Sequence, residues 1–128
     1  MVAVGSADPI GLSRLVRAHV DLLELADAER IRVIVNKVRA SAVGLNPGSQ
    51  IAASLLRFGG IRDAALVPSD PVAYDAALLT GRTVREAAPR SPAVAAIARF
   101  VSAELVAANV PETARKLRGR WSRPLAHA

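Results

Sequence analysis

The sequence predicts an α/β fold in three layers, with one parallel sheet between helices. Two observations carry that expectation. Three short apolar runs, 2–5, 31–36 and 63–67, are evenly spaced and separated by segments of helical periodicity, and parallel strands need crossovers of that kind. The first and third runs also end in a polar turn followed by proline, Ser6-Ala7-Asp8-Pro9 and Pro68-Ser69-Asp70-Pro71, the mark of a strand that hands over to a capped helix.

Each element has its own reason. Val2-Ala-Val-Gly5 reads as a strand. Asp8 can accept a hydrogen bond from the first turn of a helix, and Pro9 fits the first helical position, where its missing N–H would be unpaired anyway. Ile10, Leu15, Val16, Leu22, Leu23 and Ala26 then recur at three- and four-residue spacing, with Arg14, Arg17, Asp21 and Glu24 between them, which predicts a helix to about Ala26. Residues 31–36 are β-branched and almost continuously apolar, as in a strand buried on both faces, and stop at Asn36-Lys37. Residues 40–48, with Gly44, Asn46, Pro47 and Gly48, read as a loop, and 49–58 as a helix closed by Gly59-Gly60. A strand at 63–67 leads to a helix at 71–79 that ends at Gly81. Ser91-Pro92 opens a last long helix, whose apolar stripe is Val94, Ile97, Ala98, Val101, Leu105 and Val106.

Three strands make a thin sheet. The chain therefore reads as half of a doubly wound domain, or as a domain that borrows neighbouring strands from a partner, with strand 2–5 as an open edge. Residues 2–108 form the α/β unit and 109–128 a basic tail.

Composition narrows the chemistry. The 128 residues are 52% apolar, enough for one real core. Charges interrupt every apolar run well short of the ~18–20 residues a bilayer span needs. The N-terminus has no basic region or long apolar stretch of a signal peptide, so a cytoplasmic location is expected. With no cysteine, thiolate metal sites, disulfides and thiol catalysis are excluded, only His19 and His127 leave little material for a His-rich metal centre, and no metal site is expected. His19 and Ser13 have no acid, base or nucleophile nearby in sequence and read as structural.

Gly5-Ser-Ala-Asp-Pro-Ile-Gly11-Leu-Ser13 superficially looks like a phosphate loop. It has five residues between the glycines where a Walker A loop has four, no Lys, and an Asp that would repel phosphate, so it is read as a capped helix start. Asn36-Lys37 stands at a strand's carboxyl end, where doubly wound folds bind ligands, and an Asn there offers donor and acceptor to a base edge. Taken alone it fits an ordinary capped strand end as well. Arg39 stands where the guanine-reading N-K-x-D motif has Asp, which disfavours a guanine site.

Together with Val67-Pro68-Ser69-Asp70-Pro71 these pieces form a longer pattern: strand-Asn-Lys, helix, strand-Pro-x-Asp, helix ending in Leu-Thr-Gly81-Arg-Thr-Val, then Ser91-Pro92. Over about residues 2–106 this resembles the C-terminal half of MinD/ParA-type deviant-Walker P-loop ATPases, particularly their CpaE-like relatives. The resemblance implies a P-loop NTPase-like fold and an adenine-side role for Asn36, Lys37, Pro68 and Asp70, with ATP as the nucleotide held on its adenine side only. In that family the phosphate loop with its lysines, the Mg²⁺-holding Thr and the switch aspartates lie in the N-terminal half, and none of them occurs in this sequence. Without amides and a Lys around the phosphates, phosphoryl transfer has no source of electrostatic stabilisation. No catalytic residue is assigned. The resemblance then implies a partitioning or positioning protein, not hydrolytic alone, that is a fragment, a homo-oligomer or a degenerate partner of a complete ATPase.

The alternative is a non-enzymatic α/β module that binds nucleic acid, or another polyanion such as an anionic membrane surface. Arg115, Lys116, Arg118, Arg120 and Arg123 fall in the last fourteen residues with no acid among them, whereas residues 1–114 carry 12 basic and 11 acidic groups. A small α/β enzyme of another kind is disfavoured, because no acid, base and nucleophile constellation is present. Deleting residues 111–128 should leave folding nearly unchanged and remove most association with polyanions. On duplex DNA, engagement of ~5 phosphates gives a log K against log salt slope of about −4 to −5 for the full chain, and a shallower one for partial engagement. Equal binding and slope for both chains would place the anion surface on the body.

Overall fold

Three strands, Val2–Ser6 (β1), Arg32–Val38 (β2) and Ala65–Pro68 (β3), pair in parallel in the order β1-β2-β3. The structure is a computed structural model and describes residues 1–40 and 46–106. Helix Pro9–Leu23 (α1) joins β1 to β2, and helix Pro47–Gly59 (α2) leads to β3. Helices Pro71–Thr80 (α3), Val84–Ala87 (α4) and Pro92–Phe100 (α5) follow, and the last runs into a π-helical segment, Val101–Val106.

Both crossovers step the same way across the sheet, and right-handed crossovers then place α1 and α2 on one face. The main core lies there: Leu15 of α1 and Ile51 and Leu55 of α2 pack with Ala3, Ile31, Val33, Val35 and Ile61. On the other face Ala93 and Ala96 of α5 pack with Val67, flanked by Ile34 and Tyr74. Val35, Leu55 and Val67 are almost wholly buried, each worth about 1.5–3 kcal/mol against an exposed side chain. The three-layer α/β expectation is met.

The long helices share one starting device. Asp8, Asn46, Asp70 and Ser91 each accept a backbone N–H of the first turn, and each is followed by proline. The closing glycines, Gly60 and Gly81, both sit at φ 63°.

Several boundaries differ from expectation, for local reasons. α1 ends at Leu23 and not Ala26, because Glu24 N–H bonds Asp21 and Leu25 N–H bonds Leu22, tightening the last turn before a 3₁₀ turn at Ala28–Arg30. α2 starts at Pro47, where the Asn46 cap allows it, and β3 starts only at Ala65. α4 was not expected, although Thr83 and Glu86 form a capping box around it.

The stripe expected on the last helix is displaced. Ala93, Ala96 and Phe100 face inward, whereas Ile97, Val101, Leu105 and Val106 are partly exposed. The two alanines let α5 approach β3 closely, which a row of larger side chains would prevent. Nor is burial on both faces complete. In β2 only Val33 and Val35 are fully buried, and in β1 the alternate residues Val2 and Val4 lie 40% and 61% exposed. The loop expected at 40–48 is described only in part, and the boundary at 108/109 and the basic tail lie outside the described residues.

Leu55→Ala should cost about 2–5 kcal/mol, whereas Val4→Thr should stay within ~0.5 kcal/mol; urea unfolding of both variants checks the contrast. Exposed Asp8 has its carboxyl held below the ordinary value, first by the Ser6 hydroxyl and then by the Gly11 amide. A depressed folded value stabilises above the unfolded pKa of about 4, and that stability is lost as pH falls through the folded value. The gap in melting temperature between the wild type and Asp8→Ala should therefore be constant near neutrality and narrow below about pH 4. A gap that persists undiminished at the acid end would contradict the cap's charge.

Candidate functional site

The carboxyl ends of the three strands lie side by side. Ser6 is in register with Asn36, and Ala7 N–H donates to the Asn36 carbonyl at 2.9 Å. On the other side Val38 is in register with Pro68, and Ser69 N–H donates to the Val38 carbonyl at 2.7 Å. The structure thus brings Asn36-Lys37 and Pro68-Ser69-Asp70, distant in sequence, to one edge of the sheet. This is the end of a parallel α/β sheet at which ligands bind.

A backbone irregularity shapes this edge. Lys37 has φ 60°, in the left-handed region, and the β2–β3 register slips by one residue between Val35 and Val38. A non-glycine residue held there is strained by roughly 1–3 kcal/mol. Asn36 supports it, since its Oδ1 accepts the Lys37 N–H at 2.7 Å. That leaves the side-chain amide's N–H donors for other groups, and the Lys37 side chain is exposed.

Asp70 holds the second turn from within. Its Oδ1 accepts Ala73 N–H at 3.2 Å, capping α3, and its Oδ2 accepts the Ser91 hydroxyl at 2.6 Å. Both oxygens are committed to the fold, and Pro68 is half-buried beside them. Ser91 was expected only as a helix start. Its tie to Asp70 spans 21 residues, and no local pattern announces it.

The charges at this edge are mixed, with two cap carboxylates and the exposed Lys37. The N-termini of α1, α2 and α3 converge here and would attract an anion, but Asp8 and Asp70 occupy two of the three caps. The glycines of the first turn serve packing. A Cβ on Gly5 would lie 2.7 Å from Leu15, and one on Gly11 2.6 Å from the Ser6 carbonyl. The capped helix start is what the geometry shows there.

A cleft of about 990 Å³ lies at the opposite end of the strands, lined among others by His19, Arg32, Arg62 and Arg99. Its arginines alternate with Glu29, Asp63 and Glu104, and Arg32 is paired to Glu104 at 2.5 Å, so its charge largely cancels. His19 is buried and its Nδ1 has no partner among the described residues, yet that nitrogen is sealed from the cleft as well as from solvent. Among the described residues no group of three His, Asp or Glu side chains could hold a metal, and no helix is long and apolar enough to cross a membrane. Arg115, Lys116, Arg118, Arg120 and Arg123 lie outside the described residues.

No family model matches the chain, and no curated protein matches it. Among solved structures it is similar to a ParA family ATPase from Chlorobium tepidum TLS, with 20% identity, a TM-score of 0.53, and coverage of 77% of this chain and 38% of that one. The chain thus spans under two fifths of that ATPase's length, and the likeness shows a shared fold: this is a three-stranded parallel α/β unit that resembles part of that structure.

Proposed function

We propose that the chain is an ATPase-related protein of the MinD/ParA type, CpaE-like, that presents the adenine side of a nucleotide site and does not hydrolyse nucleotide alone. The observation that supports this most directly is the convergence of Asn36-Lys37 with Pro68-Ser69-Asp70 at the carboxyl edge, through Ser69 N–H and the Val38 carbonyl. Asn36 offers its side-chain amide to the base edge, Lys37 borders the site, and Pro68 with Asp70 forms the opposing turn. The phosphate side would come from elsewhere, because the sequence carries no G-x-x-x-x-G-K-[ST] loop.

The open edge of β1 agrees with this. β1 pairs only with β2 among the described residues, and Val2 and Val4 are exposed in part on the face opposite α1. Parallel sheets are normally covered on both faces. In this reading the unit works within a larger assembly, as part of a longer ATPase fold or as a degenerate partner of one, in a cytoplasmic positioning or partitioning system. The second reading, a polyanion-binding module, rests on the five basic residues between 115 and 123, and the tail deletion separates the two.

The purified chain should show no ATP or GTP hydrolysis above a mock-purified control. ATP should bind weakly, since base contacts without phosphate contacts forgo the strongest charge-assisted hydrogen bonds, and Asn36→Ala should abolish that binding. Sub-micromolar affinity in titration calorimetry, or affinity indifferent to Asn36→Ala, would place the site elsewhere.

A further inference from the structure

Resting on that nucleotide reading, we propose that Ser91 is a positioning residue for the base-binding edge: it acts through Asp70 to hold the Pro68–Asp70 turn against Asn36. The helix on the back of the sheet thereby sets the geometry of the site at its carboxyl edge.

The geometry is a relay of hydrogen bonds. Ser91 is 5% exposed. Its hydroxyl donates to Asp70 Oδ2 at 2.6 Å, the length of a charge-assisted bond, and accepts Ala93 N–H at 3.2 Å. Asp70 Oδ1 takes Ala73 N–H and the Asp70 carbonyl takes Tyr74 N–H. One carboxylate therefore ties the start of α3 to the start of α5. α5 in turn is seated firmly, because Ala93 and Ala96 pack directly on Val67, the residue before Pro68. From Pro68 the turn reaches Ser69, whose N–H closes onto β2 at Val38, two residues from Asn36.

Removing the hydroxyl leaves Asp70 Oδ2 without its donor in a part-buried place, and the carboxylate can then rotate away from the turn. The fold has other supports, since the Val67–Ala93–Ala96 packing does not depend on the bond. The turn has fewer. Loss of Ser91 is therefore expected to loosen Ser69 locally before it unfolds the domain.

The test compares the wild type with Ser91→Ala and Ser91→Thr in the full chain, by amide hydrogen exchange and by ATP titration followed in the NMR spectrum. Ser91→Ala should keep the circular dichroism spectrum, speed exchange at Ser69 at least about tenfold while Val35 stays protected, and weaken ATP about tenfold. Ser91→Thr should restore both. Should Ser91→Ala fail to fold, Asp70→Asn, which keeps an acceptor for Ala73 and weakens the Ser91 bond, should show the same pattern at smaller size. Unchanged Ser69 exchange, or an ATP response at Asn36 that survives Ser91→Ala intact, would overturn the positioning role alone. A wild-type chain with no ATP response at Asn36 would overturn the nucleotide reading, and the role in base binding with it, even where Ser69 responds to the substitution.

Discussion

The carboxyl end of β2 has to satisfy two neighbours at once, and much of the molecule follows from how it does so. In a regular strand the carbonyls of residues i and i+2 point to the same edge. Here the Asn36 carbonyl serves Ala7 on the β1 side, and the Val38 carbonyl serves Ser69 on the β3 side. The reversal takes place at Lys37, whose left-handed φ inserts one extra residue into β2 opposite β3. The strained residue is thus the means by which a central strand finishes two hydrogen-bond ladders in opposite directions. It also fixes where Asn36 and the Pro68 turn stand relative to each other.

The same edge shows how caps and ligands compete. Three helix N-termini meet there, a place where an α/β protein can gather an anion. Two of the three caps are carboxylates, and Asp8 is held ionised by Ser6 and Gly11. That arrangement stabilises the helices locally and lowers the attraction for phosphate. The third cap, Asn46, is neutral, and the exposed Lys37 adds a positive charge at the same edge.

Much of the fold was legible in the sequence because its signals are local. Asp8-Pro9, Asp70-Pro71 and Ser91-Pro92 announce helix starts within two residues, and β-branched runs announce strands. The Asn46-Pro47 start is equally local, yet its residue types are those of the loop before it. The failures have a common origin in long-range packing. Ile97 and Val101 are larger than Ala93 and Ala96, yet the two alanines and Phe100 take the inner face, because which side of α5 meets the sheet is set by packing between elements distant in sequence. Val4 looks like a core residue and is bare, since burial depends on whether anything lies across the sheet. At the site, Asn36 and Pro68 were readable as strand ends. The φ of Lys37 and the bond from Ser91 to Asp70 were not, because neither residue type nor spacing encodes them.

The two faces of the sheet are also unequal in a directed way. α1 and α2 cover one face from β1 to β3, whereas α5 covers the other only over β3 and part of β2. The π-helical segment extends this cover toward the amino end of β2, where Glu104 meets Arg32. Exposure therefore rises across the back face from Val67 to Ile34 to Val4, toward the strand whose outer edge has no partner among the described residues. Along β1 it is Met1 that bonds Arg32 and Ala7 that bonds Asn36, so the odd-numbered residues point their backbone groups at β2. Val2, Val4 and Ser6 turn theirs to the outer edge, and the valine side chains stand perpendicular to that edge, on the back face. Among the described residues one strand thus leaves both its outer edge and its back face uncovered; a further strand would satisfy the first and a helix across it the second.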